Sequence, residues 1–263
     1  VAKTKKSPVA KARHSGAMKS SREGTVEIAV ARGCVTATLT SPLNRVSAAM
    51  AQQLMELFER VEDDAEIAML VLTGDGQNFC AGFEDDVNPN FVESLAALSK
   101  PIVAIINGDA FDEGLELAMA ADIRVALADA HFALTQPSSG KMPRFGGTQR
   151  LPRLVGIANA MRILLAGEKI DGAEAMRIGL VTYLAKDRAE LGARAGEVAQ
   201  AILSRGPIAV RMVKDAVRNG YDMTLEQGIR LEEDLYALLQ TTSDRAEGVR
   251  AFLDKRKPLF KGA

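Results

Sequence analysis

The 263-residue chain has only two cysteines, Cys34 and Cys80, and two histidines, His14 and His131. Scattered as they are, these four cannot supply a Cys/His cage, and neither HExxH nor a paired CxxC occurs, so no structural zinc site is expected. At this length enough surface can be buried to fold without staples, so the cysteines need not form a bridge and suit a reducing compartment. Long apolar runs are missing as well. Residues 67–72 are typical of the longest, far short of the roughly 20 residues that a membrane-spanning helix needs, and no such helix is expected. What is present is an ordinary globular balance, 47% hydrophobic and 25% charged, with room for one large domain or two small ones.

Acidic and basic residues nearly cancel, leaving a net charge of −1. Residues 1–24 depart from that balance, with Lys3, Lys5, Lys6, Lys11, Arg13, Lys19 and Arg22 against Glu23 alone. The body is therefore mildly acidic and carries no domain-wide bias towards nucleic acid. Rich in Lys, Ala and Ser, the tail is expected to be disordered or held only by a neighbour. It reads as a solvated extension, as a transit segment leading to the mitochondrial matrix, or as a weak electrostatic grip on RNA or anionic lipid. Without a transit role, the chain reads as cytoplasmic.

From Thr25 the pattern changes. Residues 26–31 and 34–40 favour strands around Arg32-Gly33, which predicts a hairpin. Ser47 suits a helix N-cap, and Met50, Leu54, Leu57, Phe58 and Val61 then recur at helical spacing until Asp63-Asp64. Residues 67–73 and 102–106 are apolar without alternation, as expected of strands covered on both faces. A loop from Gly74 to Asp86 separates them. A helix over 113–121, a strand over 123–126 and a short strand near Phe132 complete an α/β alternation. Beyond Gly146 the periodic segments are helical, over 161–165, 173–177, 191–204, 208–218, 225–239 and 246–255.

Phosphate-loop and hydrolase motifs fail. Gly74-Asp75-Gly76 follows a strand, but the third glycine of GxGxxG would fall at Phe79, whose side chain spoils the close approach. Gly140-Lys141 lacks both the first P-loop glycine, replaced by Thr135, and the hydroxyl residue after the lysine. There is no GxSxG elbow.

Three segments carry more information. They are Thr73-Gly74-Asp75-Gly76-Gln77-Asn78-Phe79-Cys80-Ala81-Gly82-Phe83; Pro101 through Asn107-Gly108 leading into Gly114-Leu115-Glu116-Leu117-Ala118; and Phe145-Gly146-Gly147-Thr148-Gln149-Arg150. In order and spacing, together with Phe252-Leu253-Asp254-Lys255 near the end, they resemble the crotonase superfamily, the enoyl-CoA hydratase/isomerase family. The resemblance runs from about Val26 to Lys261. It implies an α/β fold, a spiral of ββα repeats over 25–200 after the 1–24 tail, and a C-terminal helical trimerisation region over 201–263. It also implies a homotrimer or dimer of trimers and an acyl-CoA thioester substrate, with no cofactor beyond the coenzyme A of that substrate and no metal.

The family's shared device is an oxyanion hole of two backbone N–H groups that stabilise a thioester enolate, a sound arrangement wherever aimed amides meet developing charge in a dry site. By motif match those amides belong to Phe83 and Glu113. Ala81, Gly82, Asn107 and Gly108 lie in the matched substrate-binding stretches, and Phe252 and Lys255 match positions that line the CoA site, Lys255 suiting a phosphate or else a solvated helix face.

The chain also departs from the pattern. Asp112-Glu113-Gly114 stands where hydratases of the family read three glycines. A Glu113 carboxylate aimed at the thioester oxygen would oppose the enolate; aimed away, it would be comfortable at a helix N-terminus. Glu116 matches the first of the two hydratase glutamates, and apolar neighbours would raise its pKa. The second is Gln136, which can hold water or a carbonyl but cannot exchange a proton near neutrality. Arg144 replaces a glycine and could pair with Glu113 or Asp112, meet a substrate carboxylate, or face solvent. The expectation is a CoA-thioester enzyme resembling enoyl-CoA hydratase, a lyase with one retained glutamate. The alternatives are an acyl-CoA hydrolase or decarboxylase, or a CoA-binding subunit without hydratase activity.

Overall fold

The computed structural model describes residues 24–262. Residues 1–23, and with them the expectations for the basic tail, lie outside the described residues. The chain opens with an antiparallel hairpin, β1 (Thr25–Ala31) and β2 (Cys34–Thr40). Arg32 and Gly33 both have positive φ, the geometry that a two-residue hairpin turn needs to match strand twist. Helix α1 (Ala48–Asp63) starts where the Ser47 side chain accepts from the Met50 amide, and it buries Met50, Leu54, Leu57, Phe58 and Val61. Its C-terminus is closed by buried Lys100, whose Nζ donates to the carbonyls of Val61 (2.6 Å) and Asp64 (2.7 Å), satisfying orphan acceptors of the last turn.

A repeating unit follows. β3 (Met69–Gly74), β4 (Asn78–Cys80) and α2 (Phe91–Ala96) form one turn; β5 (Ile102–Ile106), β6 (Asp109–Phe111) and α3 (Glu113–Ala120) form the next. β7 (Ile123–Leu127) and β8 (His131–Ala133) then lead into a 3₁₀ turn at Gln136–Ser139. The chain continues through α4 (Gly147–Val155), α5 (Ile157–Ala166), β9 (Ile170–Asp171), α6 (Gly172–Arg177), β10 (Tyr183–Ala185), α7 (Arg188–Leu203), α8 (Pro207–Gly220), α9 (Leu225–Gln240) and α10 (Ser243–Leu253).

Each turn sends its first strand to one sheet and its second to another. The six-stranded sheet has the order β1-β2-β3-β5-β7-β10 and the four-stranded sheet the order β4-β6-β8-β9. From β2 onwards the large sheet is parallel, which is why β3 and β5 are buried on both faces and read as unbroken apolar runs. This is the ββα spiral that the resemblance implied. Helices dominate after β10, and the sequence boundary at residue 200 falls within α7.

Details differ from the sequence reading, which contained no α2, β6, β9 or β10. β3 begins at Met69, with Ile67 buried in the connector before it. The segment read as one loop from Gly74 to Asp86 contains β4, and Phe83 bridges to Val46. Three residues are too few to show a period, and pairing supplied by the spiral makes them a strand. Among the described residues no helix is long and apolar enough to cross a membrane.

Candidate active site

The turn after β4 is built from its backbone outward. Gly82 has φ +115, a conformation natural to glycine, and it swings the next amide out of the strand direction. Residues 45 and 46 pin the turn. The Val46 amide donates to Gly82 O (3.1 Å) and the Glu84 amide to Val46 O (2.9 Å). Arg45 reaches the same segment by its guanidinium, Nη1 donating to Ala81 O at 3.1 Å and Nη2 to Phe83 O. Behind it, buried Asn107 accepts from the Gly74 amide (3.0 Å) and donates to the carbonyls of Gly76 (3.1 Å) and Asn78 (3.0 Å). Asn44 donates to Asp75 O (2.8 Å) and Asn78 O (2.7 Å). Gly108 packs against the Gln77 carbonyl.

α3 lies flush against this turn because of Gly114, where a Cβ would meet the Cys80 carbonyl oxygen at 2.1 Å. Glu113 is the first residue of α3, so its N–H has no acceptor within the helix and points out of a helix end that favours negative charge. Its side chain turns back across the turn, and the Phe83 amide donates to Glu113 Oε2 at 3.3 Å. Of the two amides assigned from the sequence, that of Phe83 is thus taken up by the Glu113 carboxylate.

Glu116, one turn further along α3, has no solvent exposure. Its Oε1 accepts from the amides of Phe145 (2.8 Å) and Gly147 (2.7 Å), and its Oε2 accepts from Gln136 Nε2 at 3.3 Å. Burial pushes the carboxyl up to about 7, against the pull of the Gly147 and Phe145 amides, and the nearby Glu113 charge adds to the rise. Gln136 is also buried, and its Oε1 is without a hydrogen-bond partner. A buried acceptor in that state is a place for a donor from outside the chain, such as water.

Gln136 is held in register by its neighbour. Asp112, before α3, has φ +48 and ψ −121, a backbone region that costs a non-glycine residue of order 1–3 kcal/mol. Its carboxylate accepts from the Thr135 amide (2.5 Å) and from Thr135 Oγ1 (3.0 Å), which offsets that cost and ties the start of α3 to the 3₁₀ turn. The walls are aromatic. The Phe83 ring meets Phe91 and Phe145 edge-on at 5.4 and 5.0 Å, joining the turn after β4, α2 and the 143–147 loop.

Arg144 is exposed, donates to Asp85 O at 3.1 Å and lies 4.9 Å over the Phe145 ring, so it braces the loop from outside and pairs with neither Glu113 nor Asp112. Phe252 and Lys255, at the end of α10, are exposed. Among the described residues no hydrogen bond or ring contact joins them to the site. Sequence reading missed Asn44, Arg45 and Arg150; the last donates to Phe145 O (2.7 Å) and to Glu93 Oε2 (2.6 Å). Their partners are distant in sequence and mostly backbone carbonyls, which no pattern of residue types displays. Both cysteines are free, and burial pushes the Cys80 thiol up to about 12. Among the described residues no group of three or more His, Cys, Asp or Glu could hold a metal ion.

Chemically, the arrangement offers a backbone amide at the start of a helix, one buried carboxylate near neutrality, and one unpartnered amide oxygen beside it. Known proteins match this chain closely. The family model described as enoyl-CoA hydratase/isomerase matches residues 30–263. (E)-Benzylidenesuccinyl-CoA hydratase of Thauera aromatica is 37% identical over 254 residues, 91% of this chain and 99% of that protein. The 2,3-dehydroadipyl-CoA hydratase of Escherichia coli is 35% identical, covering 86% of this chain and 94% of its own. An enoyl-CoA hydratase structure from Bacillus anthracis superposes with a TM-score of 0.87 at 33% identity, over 91% of this chain and 100% of that one.

Proposed function

The chain belongs to the enoyl-CoA hydratase/isomerase family, and from that premise we propose that it adds water across the double bond of an enoyl-CoA thioester with Glu116 as its only proton carrier. The observation that carries this reading is the asymmetry of the Glu116 carboxylate: Oε1 is taken up by two amides, and Oε2 faces Gln136. Water held between Glu116 Oε2 and Gln136 Oε1 gives its proton to Glu116 as its oxygen bonds to the β carbon. The double-bond electrons move onto the thioester oxygen, where the Phe83 and Glu113 amides stabilise the enolate. Glu116 then returns the proton to the α carbon and is restored, so one carboxylate closes the cycle.

The test is turnover of crotonyl-CoA and a panel of acyl-CoA and malonyl-type thioesters, following enoyl absorbance and free thiol together. Loss of enoyl absorbance without thiol supports hydration. Thiol release supports hydrolysis instead, and CoA binding without turnover supports a binding subunit. The observation favouring that last reading is the Glu113 carboxylate on the Phe83 amide. We also infer a homotrimer or dimer of trimers, because Val213, Val217, Tyr221, Leu225 and Tyr236 on and between α8 and α9 are exposed apolar side chains of the kind an interface covers. A neighbouring copy would also supply cover for Phe252 and Lys255.

A further inference from the structure

We propose that the Glu113 side chain is a latch on the oxyanion hole, occupying the place of the ligand's oxygen until a ligand displaces it, and so sets which CoA ligands bind well. The inference rests on the hydratase-family reading of the Phe83 and Glu113 amides. One of those amides already donates to Glu113 Oε2 at 3.3 Å, and the other belongs to Glu113 itself, so the carboxylate occupies a donor that the reading assigns to the ligand, beside its own backbone amide. The strained backbone at Asp112 and the close contact at Gly114 fix where α3 begins, and with it where this side chain originates.

Arg45 gives the carboxylate somewhere to go. A point one Cβ length above Gly82 lies 2.8 Å from Glu113 Oε2 and 3.3 Å from Arg45 Nη1. The two charged groups are therefore within about 6 Å of each other and attract, yet among the described residues they form no ion pair. A small rotation of Glu113 exchanges the Phe83 amide for the guanidinium. Gly82, without a side chain, leaves that path open.

The latch discriminates by acceptor strength. A carboxylate is a stronger acceptor than a neutral thioester carbonyl, since charge-assisted hydrogen bonds are roughly twice as strong as neutral ones. Every ligand that places an oxygen in the hole pays to move Glu113, whereas a ligand without that oxygen does not. Glu113 is thus a specificity-determining residue whose side chain opposes what its backbone supports.

Two probes separate these effects in titration calorimetry of wild type, Glu113→Ala and Glu113→Gln. S-butyl-CoA is a thioether with no carbonyl oxygen, and acetoacetyl-CoA puts an oxygen in the hole. Glu113→Ala is expected to bind acetoacetyl-CoA about tenfold more tightly than wild type, the size of one charge-assisted hydrogen bond, with S-butyl-CoA affinity changed less than about twofold. Glu113→Gln keeps the shape without the charge and should fall between. Unchanged acetoacetyl-CoA affinity overturns the latch, and so does equal tightening for both probes, which would report only a negative charge removed near the CoA phosphates. Failure of wild type to bind S-butyl-CoA removes the CoA reading itself, and the latch with it.

Discussion

Glu116 has to be ionised before it can take a proton from water, and burial holds its carboxyl up to about 7. Hydration is therefore expected to rise with pH through about 7 and then level off, a limb that a kcat/KM profile of the wild type would display. Glu116→Gln should lose that limb along with about 10²–10⁴-fold of rate; unchanged turnover would remove Glu116 from the mechanism. The same shift governs stability. The folded carboxyl keeps its proton above the ordinary value of 4.5, so its contribution to stability is full below 4.5 and is lost as pH rises through about 7. Thermal melts should accordingly show a smaller fall in Tm across that window for Glu116→Gln than for wild type. Glu116 and Gln136 could be singled out only by matching the family's motifs, and the structure brings their side chains within hydrogen-bond distance. The direction of the Glu113 side chain was not, since it depends on how closely α3 approaches β4.

The turn over residues 81–83 has little regular structure of its own. It is held by Arg45, which grips the carbonyls of Ala81 and Phe83 on either side of Gly82. Arg45→Met keeps the length and removes the donors. It is expected to lower kcat about tenfold, the scale of one or two hydrogen bonds to a charged group, while S-butyl-CoA affinity holds. Equal loss of both would mean a general unfolding of the site. Among the elements, α1 could be read from the sequence because its apolar spacing runs long enough to show a period, and β5 because its apolar run is unbroken. β4 and β6 span three residues each and α2 six, and they owe their form to neighbours delivered by the spiral rather than to any local pattern.

At the scale of the molecule, β3 and β5 are buried while Val213 and Val217 of α8 and Tyr221 just after it are exposed. Light scattering on the purified protein is expected to give a mass of three chains or a multiple of three, and Val217→Asp with Tyr221→Asp should shift it towards one. A monodisperse wild-type monomer would refute the assembly. Fold class was legible at this scale from the order of strand and helix signals, but the covering of the C-terminal helices was not, because an apolar helix face reads the same whether its partner is the same chain or another. A smaller feature has a wider use. Cys80, the last residue of β4, is buried with its thiol donating to Gly82 O at 3.4 Å, and burial keeps it protonated far above neutrality. An alkylating reagent can reach it only when the turn after β4 comes apart, so the rate of labelling at Cys80 becomes a clock for how often that turn opens, and a bound ligand that steadies the turn would slow that clock.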